Sequence, residues 1–182
     1  MGTAADWASV AVTVLLGVVG LVVARNIRRD VQLRVTERRL IAYERLWALM
    51  RVVSPYNPPP DSVTRSKLHE AFTDWYYAHG DGMLLEQGSR SVYLAAKDNL
   101  VRPLSALTPT ISRHRLEALD EEDLDRQRGL LSRRQISLLR TQLKSDLAIY
   151  GRPYGPPLDE EDLAFLSQCN VDTTRRPWRK GP

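Results

Sequence analysis

The chain has 182 residues, 26 Lys and Arg against 22 Asp and Glu, a formal net charge of +4 and one cysteine. The lone Cys169 excludes an intrachain disulfide, as suits a reducing compartment, and so small a charge excess argues against a nucleic-acid partner. Only Lys67, Lys97, Lys144 and Lys180 among the basic residues are lysine, a bias that points to a GC-rich, actinobacterial genome.

Residues 1–6 carry one charge, Asp6, and are followed at 7–24 by "WASVAVTVLLGVVGLVVA", an uncharged and mostly aliphatic run. At the helical rise such a run extends about 27 Å, close to one hydrocarbon thickness, so the reading is a transmembrane helix. A cleaved secretory signal is the rival, with Val22-Val23-Ala24 as its cleavage site, but no Lys or Arg precedes the run. Arg25, Arg28, Arg29, Arg34, Arg38 and Arg39 follow it, and this asymmetry places the N-terminus outside and the rest in the cytoplasm of a bacterial inner membrane, as a single-pass protein.

Ser9, Thr13, Gly17, Gly20 and Ala24 fall within an arc of about 80° on this helix. Small residues on one face allow close backbone approach, which predicts a homo-oligomer or pairing with another membrane protein. The plainer reading is that glycine and alanine are common in any span.

Residues 25–39 form a basic stalk. Arg25, Arg28, Arg29 and Arg34 are expected to meet anionic headgroups of the bilayer, with Trp7 anchoring the opposite interface; the alternative is a solvated stalk whose charges pair along the helix. No glycine or proline interrupts the chain up to Val53, so the helix is expected to continue that far, with Leu40, Tyr43, Trp47 and Met50 as its buried stripe.

Pro58-Pro59-Pro60 ends that helix. Asp61 or Ser62 is the natural cap of a second one, whose inner stripe is Leu68, Phe72, Trp75 and His79. Gly80 suits a left-handed helix ending, Gly82 a second unusual angle, and Met83-Leu84-Leu85 a return to the core. A third helix is expected over 89–102, capped by Ser89, with Val92, Tyr93, Ala96 and Leu100 inward, and residues 104–119 as a short helix or loop. Ser132-Arg133-Arg134-Gln135 predicts the start of a fourth, with Ile136, Leu139, Leu143, Leu147 and Tyr150 as its stripe and Gly151 and Pro153 as its stop.

"LDEEDL" occurs at 119–124 and at 158–163. Neither copy has the glycine-bearing turn of a calcium loop, so Asp120 and Asp159 are read as helix caps whose following acids complement the helix dipole. The basic, proline-containing segment 168–182 is expected to be a disordered tail. Together these elements predict an all-α chain: a transmembrane helix, continuous with the first helix of a small cytoplasmic antiparallel bundle over 35–167, large enough to bury a core.

Chemistry is hard to find. The chain lacks GxSxG, GxxxxGK[ST], HExxH and CxxC, and its three histidines, His69, His79 and His114, are not at metal-ligand spacing, so neither catalytic residue, metal nor cofactor is assigned. "HGDG" at 79–82 has no nucleophile elbow downstream, and Asp74 and His79 differ by about 140° around a helix.

The pattern F-x-x-WYY-x-x-G-x-G-x-x-L at 72–85, a serine- and tyrosine-bearing helix after it, and "LLRTQLKSDLAIYG" at 138–151 together resemble a group of actinobacterial single-pass membrane proteins with a short cytoplasmic helical domain. The likeness covers about residues 35–151. That group carries no assigned activity, so the resemblance implies architecture and no catalytic residue. Asp81 stands where such sequences favour glycine.

The leading functional expectation is therefore a membrane-anchored protein-interaction or scaffolding module. The alternative is a tethered ligand-sensing or regulatory domain, and an enzyme without a recognisable motif comes third. Trp75, Tyr76, Tyr77, His79 and Asp81 are the partner or ligand candidates, and Tyr77, off the core stripe, is the best of them for a partner.

Overall fold

The computed structural model describes residues 4–103, 120–147, 158–174 and 178, with side chains described for Thr13, Leu16, Gly17 and most positions from 19 onward, His79 excepted. The described residues are helical and contain no strand. The helices are α1 (Ala4–Leu49), α2 (Ser62–Tyr77), α3 (Gln87–Asn99), α4 (Glu121–Asp146) and α5 (Glu160–Gln168), with 3-10 turns at Met50–Val53 and Ala78–Leu84. The chain divides into two units, Met1–Arg38 and Arg39–Pro182.

In the first unit every described side chain is exposed, including Leu16, Val19, Leu21, Val22, Val23, Ile27 and Val31, and nothing lies near Gly17 or Gly20. Among the described residues no helix is long and apolar enough to cross a membrane. Within the run 7–24 the described side chains are Thr13, Leu16, Gly17 and 19–24; those of Trp7 and Ser9 lie outside them.

The second unit is a helical bundle around one core. Three of its starts follow from one piece of local chemistry. Asp61, Asp120 and Asp159 each sit in extended geometry and accept, at 2.8 Å, the backbone N–H three residues on: those of Thr64, Asp123 and Asp162. Each side chain thereby satisfies a donor the helix cannot. After Asp120 and Asp159, three further acids complete the first turn, where the helix dipole favours negative charge. Both acidic runs are thus helix starts.

Several expected details shift. On α1 the buried residues are Ala42, Tyr43 and Leu46, followed by Met50 and Val53, whereas Leu40 and Trp47 are exposed. The α3 helix begins at Gln87 rather than Ser89, and the Ser89 hydroxyl is turned inward to Asp146 instead of capping. The fourth helix begins at Glu121, so Ser132 is no cap but a buried residue of its interior. Ile136, Leu139 and Leu143 are buried as expected; Tyr150, Gly151 and Pro153 lie outside the described residues, as does 104–119.

The long reach of α4 depends on Gly129. A Cβ there would stand 2.7 Å from the Pro60 carbonyl oxygen and 2.9 Å from the Pro59 Cβ, so the polyproline loop packs on bare backbone. At the other end, the chain after α5 does not leave the fold. Asn170 takes φ 67°, the Val171 N–H returns to the Leu166 carbonyl at 3.0 Å, and Cys169, Val171, Thr173 and Trp178 are buried. The segment expected to be a disordered tail therefore packs at these positions, because one left-handed residue folds it back onto the helix end.

Candidate partner surface

The turn between α2 and α3 collects the sequence candidates, and the helix geometry separates them. Trp75 is on the inner face, 5% exposed, with its indole N–H donating to the Ala42 carbonyl at 3.0 Å. Tyr76 is half-buried and stacks on Tyr93, centroids 5.6 Å apart. Tyr77, one residue on, is 75% exposed and meets the Tyr76 ring edge-on at 5.3 Å. Of His79 only the backbone is described.

The turn is tightly specified. Gly80 adopts φ 76°, the left-handed value expected of it. A Cβ on Gly82 would come within 2.6 Å of the Tyr76 ring, so this glycine is required for packing. Asp81 is buried and pairs with Arg45 at 3.3 Å, which ties the turn to α1. Met83 does not return to the core as expected: it is 81% exposed, and Leu85 turns inward instead. A tyrosine and a methionine are thus presented to solvent on a turn that is itself held by an ion pair and an aromatic stack.

Sequence reasoning missed a buried polar cluster behind this turn. Asp146, last residue of α4, accepts from the Tyr43 hydroxyl at 2.8 Å, from the Ser89 hydroxyl, and from the Gln142 amide at 3.2 Å. No local signal marks it, since Ser89 and Tyr43 are distant in sequence. Burial raises the Asp146 carboxyl above its usual range and outweighs the three donors that lower it, and nearby Glu86 adds repulsion. Burial, with the Asp146 charge second, pushes the Tyr43 phenol up.

A carboxyl whose folded pKa exceeds its unfolded value contributes most below the unfolded pKa, about 3.9, and loses that contribution as pH rises through the folded value. Wild type should therefore lose stability relative to Asp146→Asn as pH rises through the range above about 4. Urea unfolding of both proteins across that range measures the gap, and parallel curves would refute the assignment.

Elsewhere, a cavity of about 280 Å³ lies between α3 and the segment after α5, lined by Leu94, Ala95, Asp98, Arg102 and Val171 among others. It contains none of the five turn candidates. Among the described residues no cluster of His, Cys, Asp and Glu is arranged to hold a metal ion. Cys169 is 3% exposed and burial raises its thiol pKa, which keeps it protonated and unreactive. No protein family, curated protein or solved structure matches the chain.

Proposed function

We propose that this chain is a membrane-anchored protein-interaction module, in which residues 7–24 lie in the bilayer and the turn carrying Tyr77 and Met83 receives a partner protein. The carrying observation is the contrast within one turn: Tyr77 and Met83 are largely exposed, while Trp75, Asp81 and Leu85 beside them are buried. The preorganised aromatic is a suitable anchor, because little of its side-chain freedom is lost on docking, and the flexible thioether beside it can adapt to the partner's shape.

Membrane anchorage rests on the uncharged sequence run and the arginines after it, together with the exposure of Leu16, Val19, Leu21, Val22 and Val23. The small-residue face of Ser9, Thr13, Gly17, Gly20 and Ala24 adds a route to self-association in that bilayer. The ligand-sensing alternative has less support, because Trp75 is closed into the core and the cavity lies elsewhere.

A photocrosslinking amino acid at position 77 of the full chain, in its native membrane, tests the reading. It should give a discrete protein adduct absent from the same label at Tyr56, which is 97% exposed and outside the turn. Equal labelling at the two sites would sink the proposed surface. A chain lacking residues 1–24 should move from the alkali-resistant membrane fraction to the soluble one; retention would assign anchoring to the basic stalk instead.

A further inference from the structure

A second surface carries an excess of cations. On α1 and the turn after it, Leu40, Glu44, Trp47 and Arg51 recur at steps of four, three and four, all exposed. On α4, Arg133, Ser137, Arg140 and Lys144 recur at the same steps. Steps of this kind keep four residues on one helix face.

Contacts join the two stripes edge to edge. The Arg140 guanidinium lies 6.0 Å from the Trp47 ring centroid and donates to the Met50 carbonyl, and the Lys144 ammonium lies 5.3 Å from the same centroid. Arg133 donates to the Asn57 carbonyl, and Asn57 in turn donates to the Arg51 carbonyl at 3.3 Å. The result is a two-helix face about 17 Å long, or three helical turns.

The face is rich in cations: Arg51, Arg133, Arg140 and Lys144 stand against one carboxylate, Glu44. Arg39, Arg45, Arg65, Lys97, Arg102 and Arg134 each have a carboxylate partner. Arg51, Arg133, Arg140 and Lys144 have none among the described residues. Burial lowers the Arg140 pKa, so a cation is held there at some desolvation cost with no internal counter-charge to offset it.

We propose that this face binds an acidic helical segment of a partner protein, about three turns long, with carboxylates at steps of three and four and an aliphatic side chain against Leu40 and the Trp47 edge. A helix of that kind fits along two parallel stripes, pairing its carboxylates with Arg51, Arg133, Arg140 and Lys144. An anionic bilayer is the competing occupant, and the vesicle arm of the test below decides between them. Nucleic acid suits the face less well, since the cations over the Trp47 ring occupy the surface on which a base would stack. The proposal rests on the reading of the bundle as an interaction module, and uses a face other than the Tyr77 turn.

The test uses the full chain in zwitterionic nanodiscs and a fluorescent synthetic helix bearing Glu at i, i+3, i+4 and i+7 with one central Leu. Its binding is followed by anisotropy beside a Lys-for-Glu peptide, a DNA duplex and phosphatidylserine vesicles. The acidic helix should bind and the basic one should not, and affinity should fall about tenfold between about 50 and about 200 mM salt. Lys144→Glu, and separately Arg51→Glu, should each weaken binding at least about fivefold. Lys67→Glu, an exposed charge reversal elsewhere, should change it less than about twofold.

Using single reversals at exposed or half-exposed positions leaves the Arg140 contact to Met50 in place, and a thermal melt checks folding. Equal losses from Lys67→Glu would reduce the effect to net charge. Tighter, Lys144-dependent binding of duplex or vesicle than of peptide would assign the face to nucleic acid or lipid. Either result overturns the proposal, and neither bears on a Tyr77 adduct, so the two readings fail separately.

Discussion

Asp125→Ala should cost the bundle about 3–5 kcal/mol of unfolding free energy, more than Arg65→Met at the same contact. Arg65 is 1% exposed, so its guanidinium has no route to water. It pairs with the Asp125 carboxylate and donates to the Pro60 carbonyl at 2.8 Å and the Asp125 carbonyl at 3.2 Å, while its Nε has no partner. Removing the carboxylate leaves a buried, uncompensated cation. It also leaves that cation facing Arg128, whose pKa is lowered by burial first and by the Arg65 charge second, with Asp125 opposing both.

The reverse substitution is gentler. Arg65→Met removes the buried charge and keeps most of the side-chain volume, and Asp125, a third exposed, can then turn to water. What is lost is the tie between the polyproline loop and α4, for which about 1–3 kcal/mol is the expected cost. Urea unfolding of the two variants gives the order directly. If Arg65→Met is the worse of the two, the pair is held by geometry rather than by the need to neutralise a buried cation.

This contact also explains why α4 was harder to delimit from sequence than its neighbours. Asp61, Asp120 and Asp159 were legible as caps because a cap needs only the residue and the N–H three positions on. The interior of α4 is decided by partners far away in sequence. Gly129 admits Pro59 and Pro60, and Asp125 is used by Arg65, so neither a glycine nor a second serine start breaks the helix. Ser132-Arg133-Arg134-Gln135 satisfied a local rule, but the rule was outweighed by packing along the whole helix.

The same distinction holds for faces. Stripes read from period alone were right for Leu68, Phe72 and Trp75 and for Val92, Tyr93 and Ala96, where the helix packs on apolar neighbours. On α1 the period also admitted Leu40 and Trp47, yet these are exposed. Trp47 is flanked by Arg140 and Lys144 of α4, so burying it would have desolvated those cations further. Periodicity fixed the spacing; the charge of a distant helix chose which of two adjacent stripes became core.

Tyr93→Ala should cost about 3–5 kcal/mol, while Tyr93→Phe should cost about 1 kcal/mol. The ring is fully buried and touches three others: Phe72 at 5.4 Å and Tyr76 at 5.6 Å, both stacked, and Trp75 at 5.3 Å, tilted. Truncation removes all three contacts and leaves a void at the centre of α2 and α3. The hydroxyl contributes one bond, to the Phe72 carbonyl, and burial raises its pKa so that it remains a donor at any working pH. Because Tyr77 rests on Tyr76 and Tyr76 on Tyr93, losing the ring at 93 should also be felt in function, which Tyr93→Phe and Tyr93→Leu separate. With Phe at 93 the stack persists and the adduct formed at position 77 should be retained; with Leu, under conditions where the variant stays folded by circular dichroism, it should weaken. An adduct indifferent to Leu at 93 would mean that Tyr77 needs only exposure, and that the aromatic stack serves stability alone.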